Sequence, residues 1–302
     1  LRSLVGSEMC IRDSVTIKKR YDFQNMNEYD FTWEIIKNGK NIATGDFKID
    51  LKPHQEAEVR LELPAIPVDE NEYFLNLYAY TKKATDLVPA HYEVAKEQLE
   101  LKRGNVFTSL PDCSGNLTYK VVDNVLSFES GTVSGKIDLK KGMLFDYMKN
   151  GKKPIKQYPE PAFWRAPTDN DFGNKMPLLA GVWRTAHVNR YVKEVTVGNK
   201  NEKGLPVKIE WVLTDIQVPY TMEYLIRNDG SLVVTGSIDL NGTRLPELPR
   251  FGMRIELNQP YDNLSYYGRG PQENYIDRCS GSFIGCYDDK VENQYYEYIR
   301  PQ

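Results

Sequence analysis

Histidine and cysteine are scarce in this 302-residue chain, and charge of one sign is lacking. The three histidines, His54, His91 and His187, lie far beyond helical-turn spacing of one another, which excludes a histidine-rich metal centre. The four cysteines, Cys10, Cys113, Cys279 and Cys286, are too few and too scattered for a disulfide framework. No CxxC is present to suggest a zinc ribbon or a redox pair, so the cysteines read as reduced thiols. No apolar run approaches the ~20 residues that a membrane-spanning helix needs. Lysine and arginine number 39 against 42 aspartates and glutamates, a net charge of -3 without a long single-sign block. Neither nucleic acid nor a membrane surface is therefore expected as a partner. Repeats, low-complexity tracts, a GxSxG nucleophile elbow and a close Cys/His pair are all missing.

What the chain has is aromatic. Twenty tyrosines, 11 phenylalanines and four tryptophans make up 12% of it, a bias that favours sheets and surfaces on which sugars stack. With 40% hydrophobic residues there is apolar material for roughly two domains.

From Val15 onward the dominant pattern is period-two alternation, the mark of half-buried strands. Phe31, Trp33 and Ile35 alternate with Thr32 and Glu34 and run into Asn38-Gly39, a hairpin signal because both residues tolerate positive φ. Ala57, Val59, Leu61 and Leu63 alternate with charged residues until Pro64 and Pro67, which lack ladder donors. Residues 73–80 (YFLNLYAY) are apolar on both faces and so predict a central strand, and residues 91–101 predict the last strand of a first module. This is the pattern of an immunoglobulin-like sandwich. After the polar stretch at residues 102–105, a second alternating series continues through residues 117–137, 208–213, 220–226, 232–238 and 251–257. It predicts a large antiparallel sandwich. One short helix is expected over residues 178–187, where Leu178, Leu179, Val182, Trp183 and Ala186 recur at helical spacing.

Two polar segments interrupt the strands. In residues 163–173 (FWRAPTDNDFG), Asp169, Asn170 and Asp171 could offer oxygens to a hard cation or to sugar hydroxyls. The same residues could instead satisfy backbone donors at a turn, with Arg165 pairing one of the carboxylates. In residues 266–278 (YYGRGPQENYIDR), Gly268 and Gly270 begin a phosphate-loop pattern that no third glycine completes. Glu273 and Asp277 are four positions apart. A retaining glycosidase holds its two carboxyl groups about 5 Å apart across the sugar, and this spacing does not place them so. They read as members of a hydrogen-bonded loop with Arg269 and Arg278 as partners. The opening residues stand apart: Glu8 to Ser14 reproduces one translation frame of the transposon end used in sequencing-library preparation, so residues 1–14 are expected to be a non-native leader.

At the two loops a family resemblance becomes specific. FWRAPTDNDFGNK and YYGRGPQENYIDR resemble the hallmark segments of the C-terminal small-chain domain of large multi-domain bacterial β-galactosidases. Val15 onward, with TWEIIKNGKNIATG and EVRLELPAIP, is similar to the immunoglobulin-like domain that precedes it there. The resemblance implies an all-β fold: an immunoglobulin-like β-sandwich over 15–102, then a β-supersandwich, galactose mutarotase-like, over 103–302 and cut at its C-terminus. It also implies that the acid/base and nucleophile glutamates, and the magnesium-binding carboxylates of the parent, sit on a TIM barrel outside these residues. No catalytic residue, metal ligand or cofactor is then expected in this chain. Arg165, Asp169, Asn170, Asp171, Glu273 and Arg278 are expected in structural or pocket-rim roles. The implied partners are the missing barrel, a β-galactoside bound by the parent, and further copies of that parent. The implied location is bacterial, in cytoplasm or periplasm, with the cytoplasm favoured. The competing expectation is a stand-alone carbohydrate-binding β-sandwich that stacks sugars on surface aromatics.

Overall fold

The computed structural model describes residues 14–20, 22–105, 110–272, 274 and 279–294. Strands dominate them, arranged in antiparallel sheets with two short α-helices, as the alternation predicts. The chain divides into two compact units, Leu1–Leu110 with Asn263–Asp289, and Pro111–Asp262 with Lys290–Gln302. Asn263–Asp289, which lies inside the sandwich expected over 103–302, thus groups with the first unit.

In the first unit the strands are β1 (Ser14–Lys18), β2 (Tyr29–Lys37), β3 (Lys40–Phe47), β4 (Glu56–Arg60), β5 (Tyr73–Thr81) and β6 (Glu93–Lys102). β1 pairs with β4, and the other four form a sheet in the order β3-β2-β5-β6. The turn between β2 and β3 is Asn38-Gly39, with φ of 48° and 81°, the positive pair that a two-residue hairpin requires. Phe31, Trp33 and Ile35 of β2 and Leu75 and Leu77 of β5 point inward, where they meet Val15 and Ile17 of β1. Gly45 lies opposite Trp33, and a Cβ there would come within 2.5 Å of the indole.

The second unit contains β7 (Thr118–Val122), β8 (Val125–Ser130), β9 (Val133–Asp138), β10 (Met143–Lys149), β11 (Ile155–Ala162), β12 (Arg190–Val197), β13 (Leu205–Leu213), β14 (Val218–Ile226), β15 (Leu232–Ile238) and β16 (Gly252–Leu257). Its strands form two four-stranded sheets, ordered β10-β9-β8-β7 and β12-β13-β14-β15, and a separate two-stranded sheet, β11-β16. Strict alternation in β13 and β14 sends Val207, Ile209 and Trp211, and Tyr220, Met222 and Tyr224, into one core with Leu126, Phe128 and Ile137. Phe163 sits at its centre, with ring centroids 5.7 Å from Trp183 and 5.8 Å from Tyr220.

The helix expected over 178–187 is a correction. The structure has α1 (Asp169–Gly173) and α2 (Met176–Leu179), then a 3-10 turn at Gly181–Arg184. Trp183 and Ala186 are fully buried, but Leu178 and Leu179 are 79% and 65% exposed, so the five apolar residues share no face. Gly181 favours a break at that point. The core then takes Trp183, whose indole N–H donates to the Pro246 carbonyl at 3.0 Å, and packing outweighs the periodicity. The last two strands, β17 (Asn263–Gly270) and β18 (Phe283–Lys290), form a two-stranded sheet of their own.

Candidate functional site

The segment between β11 and α2 is built around one buried carboxylate. Thr168 caps α1: its hydroxyl accepts from the Asp171 N–H, and the Asp171 carboxylate accepts from the Thr168 N–H at 2.8 Å. This reciprocal arrangement satisfies donors that the first turn of a helix leaves open. Arg165 grips the same carboxylate with both guanidinium nitrogens, Nη2 to Oδ1 at 2.8 Å and Nη1 to Oδ2. The Thr168 hydroxyl adds a bond to Oδ2 at 3.0 Å. Of the two carboxylate oxygens of Asp171, Oδ2 accepts three bonds from Arg165 and Thr168 and Oδ1 accepts one from Arg165. The guanidinium hydrogen bonds hold its carboxyl down to about 2, against the opposing cost of burial. Arg165 also donates to the Pro249 carbonyl at 3.3 Å, tying the loop to the approach of β16. Asp169 and Asn170 project into solvent from the first turn. Of the four residues singled out here, then, the fold joins Arg165 and Asp171 and leaves the other two outside.

The second hallmark segment is the end of β17 and the start of the connection to β18. Arg269 donates to the carbonyls of Cys279 at 3.0 Å and Ser282 at 2.9 Å, closing the neck of that connection. Asn274 donates back to the carbonyls of Arg269 and Gln272 at 2.9 and 3.1 Å. Gly270 has to be glycine for space, because a Cβ there would fall 2.3 Å from the Tyr266 hydroxyl. Glu273, Asp277 and Arg278 lie outside the described residues.

Among the described residues, no group of three or more His, Cys, Asp or Glu is placed to hold a metal ion. No helix among them is long and apolar enough to cross a membrane. A cleft of about 690 Å³ in the first unit, lined by Tyr29, Asp30, Asp46, Phe47, Tyr80 and Lys82 among others, includes none of Arg165, Asp169, Asn170 and Asp171. In the second unit the Arg190 guanidinium lies 4.8 Å from the Trp211 ring, and burial lowers its pKa. Burial raises the neighbouring Tyr220 phenol. Sequence reading gave no weight to Asn76 or Gln98. Asn76 is a polar residue in the middle of an apolar strand, and it is 5% exposed, which was the available signal.

Antiparallel sheets packed over two aromatic-rich cores define the class of all-β sandwich proteins. Comparison with known proteins narrows that class to a family. A family model described as beta galactosidase small chain matches residues 129–302, and one for beta-galactosidase, domain 4 matches residues 15–102. A β-galactosidase of Priestia megaterium is 31% identical over 288 residues, covering 95% of this chain and 28% of the relative. Those of Streptococcus thermophilus and Actinobacillus pleuropneumoniae are 26% and 27% identical over 96% and 97% of the chain. The chain belongs to the β-galactosidase small-chain family, and it spans less than a third of the length of these relatives.

Proposed function

We propose that these residues are the non-catalytic C-terminal part of a β-galactosidase, whose barrel, encoded upstream, cleaves terminal β-D-galactosyl bonds with retention through a glutamate pair. One observation carries this reading: the two family matches follow each other in domain order, within an alignment that covers 95% of the chain but 28% of the relative. Two functions follow for the chain. It buttresses the barrel, and its loops at residues 163–173 and 266–278 serve in structural or pocket-rim roles. The magnesium of the parent belongs with barrel carboxylates.

The purified chain is expected to leave a chromogenic β-galactoside intact, while the genomic locus upstream of Val15 encodes a barrel with two catalytic glutamates. Turnover by the chain itself overturns the first statement. A locus without that barrel overturns the second and favours a self-sufficient sugar-binding sandwich.

A further inference from the structure

The sheet β3-β2-β5-β6 has an outward face that ought to be wet. Alternation sends Ile35, Leu75 and Leu77 to the core, so Ile36, Phe74 and Asn76 must point the other way. Yet these three are only 6%, 4% and 5% exposed. Strand β18 of the hairpin β17-β18, more than 180 positions later in the chain, reaches this face at Tyr78, Lys96 and Gln98. Phe283 is 8% exposed, with its ring centroid 5.9 Å from that of Tyr78 and 5.5 Å from the Lys96 ammonium.

The contact is specific as well as apolar. Among the described residues β18 pairs with β17 on one side only, and an unpaired strand edge presents bare N–H and C=O groups. The Gln98 side chain occupies that edge: the Ile284 N–H donates to its Oε1 at 2.7 Å, and its Nε2 donates to the Ile284 carbonyl at 2.9 Å. A side-chain amide thus makes the pair of bonds that a neighbouring strand would make. Two residues on, at the next position on the same edge, the Cys286 N–H donates to the Gly39 carbonyl at 3.2 Å. Gly39 is therefore needed twice, for its φ of 81° and because a Cβ would lie 2.7 Å from the Cys286 nitrogen. Behind Gln98 the polar groups connect without a gap. Nε2 also donates to Asn76 Oδ1 at 2.9 Å, Asn76 Nδ2 to the Tyr78 hydroxyl at 3.1 Å, and that hydroxyl to Glu34 at 3.2 Å. Burial and the Glu34 charge push the Tyr78 phenol up, so it stays a donor. A fully satisfied network of this kind fixes one geometry, because any displacement strands buried polar groups.

We propose that the outward face of the first unit's sheet is a docking platform for an extended β-edge, that its occupant is the β17-β18 hairpin, and that Gln98 is the positioning residue that sets the hairpin's register. The end of β17, with Arg269, is then carried by the first unit. This holds whatever the parent hydrolyses.

The test is hydrogen exchange of the full chain, followed at the Ile284 amide. Gln98→Leu keeps an apolar side chain of similar length and removes both bonds to Ile284. It should speed exchange at Ile284 about tenfold to thirtyfold, as expected for the loss of one or two ordinary hydrogen bonds. The amides of Ile209 and Met222 in the second unit should keep their wild-type rates. Gln98→Glu keeps an acceptor for the Ile284 N–H and loses the donors, so it should give an intermediate acceleration. An unchanged Ile284 rate in Gln98→Leu overturns the proposal. So does a loss of protection spread equally over both units, which would make Gln98 a general stability residue. Should Gln98→Leu fail to fold, Gln98→Glu is judged by the same two criteria.

Discussion

In the segment at residues 163–173 the buried carboxylate of Asp171 is held by partners no more than six positions away, whereas the stem of the second loop is bolted to a residue 186 positions away. Closing a six-residue loop costs little chain entropy, and its charged bonds are individually strong. Docking a hairpin from the far end of the chain uses neutral amide bonds and the contacts of the Phe283 ring with Tyr78 and the Lys96 ammonium, and it needs the rest of the first unit already in place. The first device makes a rigid local part. The second makes a long-range connection that should open before the sheets do.

The largest effect is expected at the local device. Asp171→Ala removes one partner of a buried pair and should cost about 3 kcal/mol, at the low end for such pairs because Arg165 keeps 29% exposure. Urea unfolding followed by the fluorescence of the buried Trp183 and Trp211 reads this, and a loss under about 1 kcal/mol would erase the contrast. The same carboxyl gives the comparison a pH axis. Its folded value of about 2 lies below the ordinary 3.8, so its stabilisation is complete above about pH 4 and fades as the pH falls towards 2. Asp171→Ala should flatten that acid limb.

Phe283→Ala addresses the distant device and should remove about 2 kcal/mol from the first unit. It is measured as loss of amide protection in β5, β6 and β18 with β13 and β14 unchanged. Loss in both units would mean that the hairpin is no separate part. The smallest change sharpens the account of the local loop: Thr168→Ala deletes the cap while leaving the Arg165 pair, for about 1 kcal/mol. A cost equal to that of Asp171→Ala would show that the cap, and not the ion pair, carries the segment.

Much of this was legible in the residues. Asn38-Gly39 announced its turn because few residue pairs accept two positive φ values. Asp171 was one of two readings of a DND run, and its neighbours Thr168 and Arg165 already supplied a cap and a counter-charge. The helix over 178–187 misled because spacing reports what could face inward together, not where Gly181 lets the chain turn. Residues 73–80 were apolar on both faces for two reasons, of which sequence offers one. β5 is central between β2 and β6, but its second face is dry because a distant hairpin lies on it. Gln98 carried no signal, since one glutamine in a strand is an ordinary outward residue until the edge it reads arrives in space.

That hairpin also says something about inheritance. The chain leaves its first unit, builds most of the second and then returns, so no single cut between residues 102 and 105 yields two finished pieces. A recombination event at that linker would leave Ile36 and Phe74 bare on one product and an orphaned strand edge on the other. Selection should therefore pass the two segments on as one block, however modular their borders look along the gene.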